Sequence, residues 1–370
     1  MPTEYTFSLA PTNPQQCLFE VFLALRDQQL DKAEQLLQQI RPTRLNRVSS
    51  IRYHIMSGEI ALKRLKPRES LEALLQAQEE TTGCSWLEPQ LLANISYLTG
   101  QAYYDAGQFL DAYKQHQAML SQLGADQNLK LKLYNSLSME LILLGDYTAA
   151  LNYLNRAAAL GCMLDWPEQK AQTCMGLLVC KGIQGQFNEA SSFGHKGLKL
   201  LENKSEPALT IKLHHTLSQT LMSLEKYPEA EYHQQKATED ARRTGNSSLL
   251  AVSLIGLAQL QVVQDNLEAA QQNILVAETA SSEQANIYVL YGLVRYAEIL
   301  AQRGYYDEAE TAFQRGFSYI DNNRDAGTAA ANFYASRAEA LVRQGKHHQA
   351  IQFFRQAIQM KDYRLAKISG

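Results

Sequence analysis

The sequence predicts an all-α solenoid of about nine helical hairpins, and a motif repeated along the chain is the main evidence. Its clearest copy is RGYYDEAETAFQRGF, residues 303 to 317. Gly304 can end one helix there, and Asp307 can cap the next. Ala309 and Phe313 then lie one turn apart on the same face, where a small and a bulky side chain fill one interhelical seam. Similar sequences begin at four further glycines: Gly107, Gly145, Gly185 and Gly345.

The spacing of the small seam residue supports the repeat. It recurs every 37 to 42 residues, at Ala33, Ser70, Ala112, Ala150, Ala190, Ala230, Ala270, Ala309 and Ala350. Some copies are degraded: Glu225 and Asp265 replace the turn glycine, and Pro67 precedes Ser70 in the copy that departs furthest from the pattern. This regular spacing predicts one helical hairpin for each small residue.

The motif has a glycine, an aromatic residue two positions later and an alanine three positions after that, as in Gly145, Tyr147 and Ala150. This pattern resembles the tetratricopeptide repeat. The usual unit has about 34 residues, whereas this one has about 40, which indicates longer helices or connections. The resemblance covers nearly the whole chain. It implies a right-handed α-α superhelix whose concave groove binds proteins or peptides, and it implies no chemistry.

The hairpins are predicted to form a single domain. Each repeat of a solenoid buries its face on its neighbours, so 370 residues need not divide into separate cores. We expect residues 14–370 to form this domain and residues 1–13, which contain Pro2 and Pro11, to form an extended arm. Trp86 lies in a longer connection and is expected to fill a gap between hairpins.

Composition excludes several classes of function. The chain has 35 basic and 38 acidic residues and a net charge of −3, which gives no electrostatic reason to expect binding to nucleic acid or an anionic membrane. No apolar run approaches the roughly 18 residues of a membrane span, and the N-terminus lacks the pattern of a signal peptide. Five cysteines without a C-x-x-C favour reduced thiols. We therefore expect a cytoplasmic protein.

The sequence shows no catalytic constellation. It has no phosphate-binding glycine loop, no H-E-x-x-H and no G-x-S-x-G. His214 and His215 are adjacent and point about 100° apart on a helix, which suits one metal ion poorly, and the same holds for His347 and His348. We therefore expect no enzymatic activity, no cofactor and no metal.

The resemblance also implies which residues line the groove, namely those lying 15, 11, 8 and 7 positions before the small residue. Charged residues then occur at the two ends of the array: Glu59 and Lys63, and Glu298, Glu339 and Arg343. The middle is apolar or uncharged. Its expected partner-binding residues are Asn135, Met139, Leu143, Met175, Val179, Ile183, His215, Gln219, Met222, Ile255, Gln259 and Val263. If longer helices shift the register, these residues are core instead.

Two functional interpretations follow, and both involve a protein or peptide partner. The first is a non-enzymatic scaffold that holds an apolar or amphipathic segment in the groove. The second is a peptide-responsive regulator, since bacterial quorum-sensing receptors are similar in repeat length. Only about 13 residues precede the first hairpin, so such a regulator is expected to act through a separate effector chain.

The C-terminal hairpin is expected to leave apolar residues uncovered. Ala350, Phe354 and Ala357 face their own hairpin by analogy with the 303–317 copy, which leaves Ile351, Phe353 and Ile358 with at least one member facing outward. A terminal repeat must cap its hydrophobic face or have it covered. We therefore expect a second copy or a partner at this end.

Overall fold

The computed structural model describes residues 13–369, apart from 28, 65, 85–86, 125, 205, 282–286 and 323–326. The expected N-terminal arm, up to residue 12, and Trp86 lie outside the described residues. Contacts between Cα atoms divide the chain into two compact units, Met1–Ala125 and Asp126–Gly370. The prediction that 14–370 forms one domain stays a prediction.

The first unit contains three helical hairpins among its described residues. They are formed by α1 (Pro14–Arg26) with α2 (Leu30–Gln38), α3 (Arg47–Lys63) with α4 (Pro67–Thr81), and α5 (Pro89–Asp105) with α6 (Phe109–Gln122). A short 3₁₀ turn, Pro42–Arg44, precedes α3. Proline stands at the start of α1, α4 and α5, where its missing N–H has no partner to lose.

The second unit contains six hairpins in its described part, so the predicted all-α fold of nine hairpins is confirmed. Its helices are α7 (Gln127–Leu144), α8 (Tyr147–Met163), α9 (Pro167–Ile183), α10 (Phe187–Leu201), α11 (Pro207–Ser223), α12 (Tyr227–Thr244), α13 (Ser247–Val263), α14 (Leu267–Ser281), α15 (Ile287–Gln302), α16 (Tyr306–Asn322), α17 (Gly327–Arg343) and α18 (His347–Ser369). No described helix has the length and apolar composition needed to cross a membrane.

Within the second unit, the first helices of consecutive hairpins pack on one another, in the order α7, α9, α11, α13, α15 and α17. We call these six helices the first-helix layer. Each second helix packs on its own first helix, and α8, α10, α12 and α16 also pack on the first helix of the next hairpin. The first-helix layer is therefore a continuous surface to which every hairpin of this unit contributes one helix.

The predicted seams are confirmed, because all nine small residues are at most 1% exposed. The structure also shows what lies opposite them. Ser70 Oγ donates to the Gly58 carbonyl at 2.8 Å, and Ser218 Oγ donates to the Ala230 carbonyl at 2.7 Å. Each of these pairs joins the small residue to another small residue 12 positions earlier. Small side chains on both helices let the two backbones approach closely.

The turns between the paired helices require a left-handed backbone. Gly107, Gly145 and Gly185 have φ of 80°, 84° and 75°, and the two residues that replace glycine, Glu225 and Asp265, both have φ of 59°. A residue with a Cβ pays a steric penalty in this conformation. The turn geometry is thus set by the hairpin, even where the sequence supplies no glycine.

One predicted helix cap is wrong. Asp146 does cap α8, since its side chain accepts from the Ala149 N–H at 3.0 Å. Asp307 instead lies in the first turn of α16, and the first helical bond runs from the Ala309 N–H to the Tyr305 carbonyl. The repeat places the cap four residues before the small residue, a position that Tyr305 occupies here. Asp307 still suits the positive end of the helix dipole.

Glu225→Gly should stabilise the second unit by about 0.5 to 1 kcal/mol, because it relieves the left-handed strain at the cost of some chain entropy. Glu225 is exposed, so few side-chain contacts are lost. Urea unfolding followed by circular dichroism measures the change. Gly185→Ala is the reciprocal control, since nothing lies within 4 Å of the added Cβ, and it should destabilise by a similar amount. Equal midpoints for all three proteins would contradict the strain argument.

Ala150→Asp should lower the free energy of unfolding by on the order of 3 to 5 kcal/mol, because it buries an unpaired charge in the α7–α8 seam. Thr148→Asp, at an exposed position on the same helix, should be neutral or slightly stabilising. Hydrogen exchange should show lost protection across residues 130 to 200 for the first variant. Unchanged protection there would refute the assignment of Ala150 to a seam.

Candidate functional site

The predicted groove residues lie on the first-helix layer, and about half of them are covered by neighbouring helices. Most positions 8 before the small residue belong to the core, as Met222 shows at 8% exposure, although Val342 on α17 is 42% exposed. Most positions 15 before it are also buried: Asn135, Met175 and Ile255. Leu143 and Gln259 are buried as well. In the free chain these residues offer a partner little surface.

Positions 11 and 7 before the small residue form the accessible part of the layer. Ile183 is 48% exposed, Gln302, Glu339 and Arg343 are exposed as well, and the others are half-buried apart from the buried Leu143 and Gln259. We call the accessible residues the strip: Met139, Val179, Ile183, Gln219, Ser223, Val263, Glu298, Gln302, Glu339 and Arg343. Along the order of the helices its chemistry changes from apolar on α7 and α9, through uncharged polar side chains on α11 and Val263 on α13, to charged and amide side chains on α15 and α17.

Amide side chains connect three consecutive first helices beside the strip. Gln219 Nε2 on α11 donates to Gln259 Oε1 on α13. Gln259 Nε2 in turn donates to the Gly292 carbonyl on α15 at 2.9 Å. The buried Gln259 is therefore satisfied on both sides, which removes the cost of burying its amide.

Similar polar links join the other first helices of the second unit. Asn135 Nδ2 donates to the Gln169 carbonyl at 3.0 Å, and its Oδ1 accepts from Thr173 Oγ1 at 2.8 Å. At the other end, Ser336 Oγ on α17 donates to Glu298 Oε1, whose second oxygen accepts from Arg295 at 3.1 Å. Asn135 is thus engaged with α9. In the first unit, the expected charged pair Glu59 and Lys63 forms an ion pair at 3.7 Å.

His215 is held as a neutral hydrogen-bond donor. Its Nδ1 lies 3.2 Å from Gln234 Oε1, and Gln234 Nε2 donates to the Ser253 carbonyl at 2.7 Å. Because the amide nitrogen of Gln234 is used in this way, its oxygen faces the imidazole, and Nδ1–H must donate. Burial lowers the pKa of His215 to about 4. At neutral pH its ring therefore positions Gln234 and carries no charge.

Sequence reasoning missed a second group of histidines. It paired His214 with its neighbour His215, whereas the structure places His214 Nδ1 2.8 Å from His233 Nδ1 on the next helix. His195 on α10 and Glu229 on α12 lie at the same place. The only signal in the sequence is the four-residue spacing of Glu229 and His233, which puts both on one face of a helix.

The C-terminal hairpin exposes two of the three predicted interface residues. Ile351 is 50% and Ile358 is 58% exposed. Phe353 is half-buried, because its ring lies 5.9 Å from that of Phe317 and 6.1 Å from that of Tyr334. The guanidinium of the buried Arg337 adds a cation–π contact 5.6 Å from the same ring. The outward-facing members are therefore the two isoleucines.

The family model for the tetratricopeptide repeat matches residues 131–160 and 331–363. The first match falls within the α7–α8 hairpin and the second within the α17–α18 hairpin. These two hairpins therefore match the tetratricopeptide repeat, as the spacing of the small residues predicts. No curated protein sequence matches the chain.

Solved structures share the fold over nearly the whole chain. A Rap protein complexed with competence and sporulation factor gives a TM-score of 0.72 at 15% identity, covering 96% of this chain and 99% of that one. The apo quorum sensor NprR from B. thuringiensis gives 0.59 at 14% identity, with 94% and 98% covered. The Rap conjugation gene regulator of plasmid pLS20, in complex with the Phr* peptide, gives 0.58 at 10% identity, with 95% and 94% covered. These likenesses establish a helical-repeat solenoid.

Proposed function

We propose that this tetratricopeptide-repeat chain is a non-enzymatic binding protein whose strip holds a short peptide or peptide-like segment of a partner. The observation that carries the proposal is the strip itself, a row of accessible side chains supplied by α7, α9, α11, α13, α15 and α17. An extended chain laid across consecutive first helices would meet one or two of these side chains per helix. Recognition by such a row needs no deep pocket.

The apolar end of the strip suits side chains of varied shape. Met139, Val179 and Ile183 lie on α7 and α9, and none of the three is fully buried in the free chain. Methionine repacks easily around different partners. Removing these side chains from water supplies the main favourable term for binding, at about 25 cal/mol per Å² of apolar surface.

The other end of the strip favours positive charge. Glu298 on α15 already accepts from Arg295, whereas Glu339 on α17 is exposed, as is Arg343 one turn further along the same helix. The exposed carboxylate of Glu339 is therefore the group that would pair with a cation of the ligand. Between the two ends, the half-buried Gln219 offers an amide that can pair with the backbone of an extended peptide. We therefore infer a ligand that is apolar at one end and carries a basic side chain or a free amino group at the other.

Two of the three structures named above were solved with a bound factor or peptide. That property belongs to those proteins, and the shared fold supports placing a peptide on the first-helix layer here. A regulatory role is the second candidate, favoured by the links from Gln219 to Gln259 and from Glu298 to Ser336. A ligand that binds beside these links with different affinities for two packings of the helices would shift the population between them. The effect would then pass to a separate effector chain.

The chemistry beside the strip supports binding without catalysis. The amides of Gln219 and Gln259 do not titrate, and the lowered pKa of His215 keeps its ring neutral with Nδ1–H donated to Gln234. A general base works best when its pKa lies near the operating pH, and a pKa of about 4 makes His215 a weak base. The groups described there instead hold the helices in register.

The proposal is tested with a library of short synthetic peptides that carry a free N-terminus and a C-terminal fluorophore, read by fluorescence anisotropy. The wild-type chain should select apolar residues at one end and a basic residue at the other. Ile183→Glu should weaken binding of the selected peptides at least tenfold, because it places a carboxylate on the apolar end of the strip.

Leu275→Glu is the matched control, since Leu275 has the same 48% exposure as Ile183 but lies on the second helix α14. Its affinity should equal that of the wild type. A library without any binder, or equal weakening by both substitutions, would refute the assignment of the strip as the binding surface.

We further propose that a second copy of the chain covers the exposed Ile351 and Ile358 on α18. These two side chains lie seven residues apart, so they form a small apolar patch on one face of α18. Sedimentation equilibrium should show a dimer in the wild type and a monomer after Ile351→Lys combined with Ile358→Lys. Leu275→Lys should leave the dimer intact. A wild-type chain that stays monomeric at tens of micromolar would rule this proposal out.

A further inference from the structure

A cluster of metal-binding side chain types forms where α10, α11 and α12 meet. His195 Nε2 lies 3.3 Å from Glu229 Oε1. One ligand atom each from His195, Glu229 and His233 lie within 4.8 Å of one another. His233 is only 6% exposed, whereas the side chains of His195 and Glu229 are 47% and 42% exposed. The cluster is therefore buried on the side of His233 and open to solvent on the side of His195 and Glu229.

The helix packing of the second unit produces this arrangement. Glu229 and His233 are four residues apart, so they lie one turn apart on the same face of α12. Both α10 and α12 pack on α11, which brings His195 of the preceding hairpin to that face. The ring of His233 lies between those of His195 and His214, at centroid distances of 5.5 Å and 5.0 Å.

We propose that His195, Glu229 and His233 form a binding site for a divalent transition-metal ion, with zinc as the preferred ion. Imidazole nitrogen and carboxylate oxygen are established zinc ligands. Two ligands at bond lengths near 2.1 Å on a tetrahedral ion lie about 3.4 Å apart, close to the 3.3 Å found between His195 and Glu229. Rotation of these two exposed side chains brings the three ligand atoms onto one ion, and water completes the fourth position.

His214 acts as a positioning residue in this site. The Nδ1 atoms of His214 and His233 are 2.8 Å apart, so one Nδ1–H donates a hydrogen bond to the other Nδ1. When His233 donates Nδ1–H to His214, its Nε2 lone pair is free to bind the ion. A metal-bound histidine commonly donates its other ring N–H in this way, which fixes the ring and its tautomer.

An ordinary surface ion pair would explain the contact between His195 and Glu229 alone. It does not explain why a nearly buried imidazole, His233, lies within reach of the same pair while its Nδ1 is paired with a further imidazole. Metal binding accounts for all four side chains. The ion would tie the second helices of two consecutive hairpins, α10 and α12, across the first helix α11, so the site shares no ligand residue with the strip.

The test uses the full chain, stripped with a chelator and then titrated with zinc chloride in competition with a chromophoric zinc indicator. The wild type should take up one zinc per chain. His195→Ala and Glu229→Gln should each weaken zinc binding at least tenfold. Both positions are exposed, so both variants should keep the wild-type circular dichroism spectrum and metal-free melting temperature.

His348→Ala is the matched control, since His348 is an exposed histidine on α18, and it should bind zinc as the wild type does. Zinc should also raise the melting temperature of the wild type and of this control, but not that of His195→Ala. Failure of the wild type to compete with the indicator would overturn the proposal. Loss of binding in His348→Ala, or full binding in His195→Ala, would do the same.

The positioning role has its own readout in the visible absorption of Co²⁺ bound in place of zinc. His214→Gln keeps an acceptor for His233 and should retain the wild-type spectrum and affinity. His214→Leu removes the acceptor and should weaken binding 10- to 100-fold, as for other outer-shell partners. An unchanged Co²⁺ spectrum and affinity in His214→Leu would show that His214 does not position the ligand.

Discussion

The whole array depends on the close approach of two backbones within each hairpin. That approach requires a small side chain on the second helix and, in most hairpins, another 12 residues earlier on the first. Gly58 and Gly100 leave so little room that an added Cβ would meet the side chains of Leu74 and His116. Where the earlier residue is large, as at Leu178, it is nevertheless fully buried. Because the seam fixes the rotation of both helices, it decides which residues face the core, the neighbouring hairpin and solvent.

The position of the strip follows from this rotation. Residues 11 positions before the small residue adjoin the seam residue at 12, so they point about 100° away from the seam. Those at 7 lie one turn further along this open face, whereas those at 8 lie one turn from the seam residue and are mostly buried. Residues at 15 share the open face, but the next first helix covers most of them, as the bonds of Asn135 to Gln169 and Thr173 show. The accessibility of a residue on a first helix therefore depends both on its position relative to the seam and on how the next first helix packs.

This geometry also explains how far the sequence could predict the structure. Spacing of small residues located the hairpins, because a seam needs a local pattern that any copy must carry. The spacing did not predict which groove residues are buried, because the burial of Ile255 and Gln259 depends on how the next hairpin packs. Asp307 was misassigned as a cap because the acidic residue shifts by two positions between copies. The histidine cluster escaped notice since its members come from three helices, and only Glu229 and His233 share one.

Helix α11 carries parts of both proposed sites. His214 pairs with His233 of the cluster, while His215, about 100° further round the helix, pairs with Gln234. One turn beyond His215, Gln219 donates to Gln259 of the next first helix. An ion that fixed α10 and α12 against α11 would therefore restrain the same helix that supplies the amide at the middle of the strip. Coupling between the two sites then needs no long pathway, because a single rigid helix contacts both. The coupling free energy cannot exceed the difference in ion-binding free energy between the packings that a ligand on the strip distinguishes.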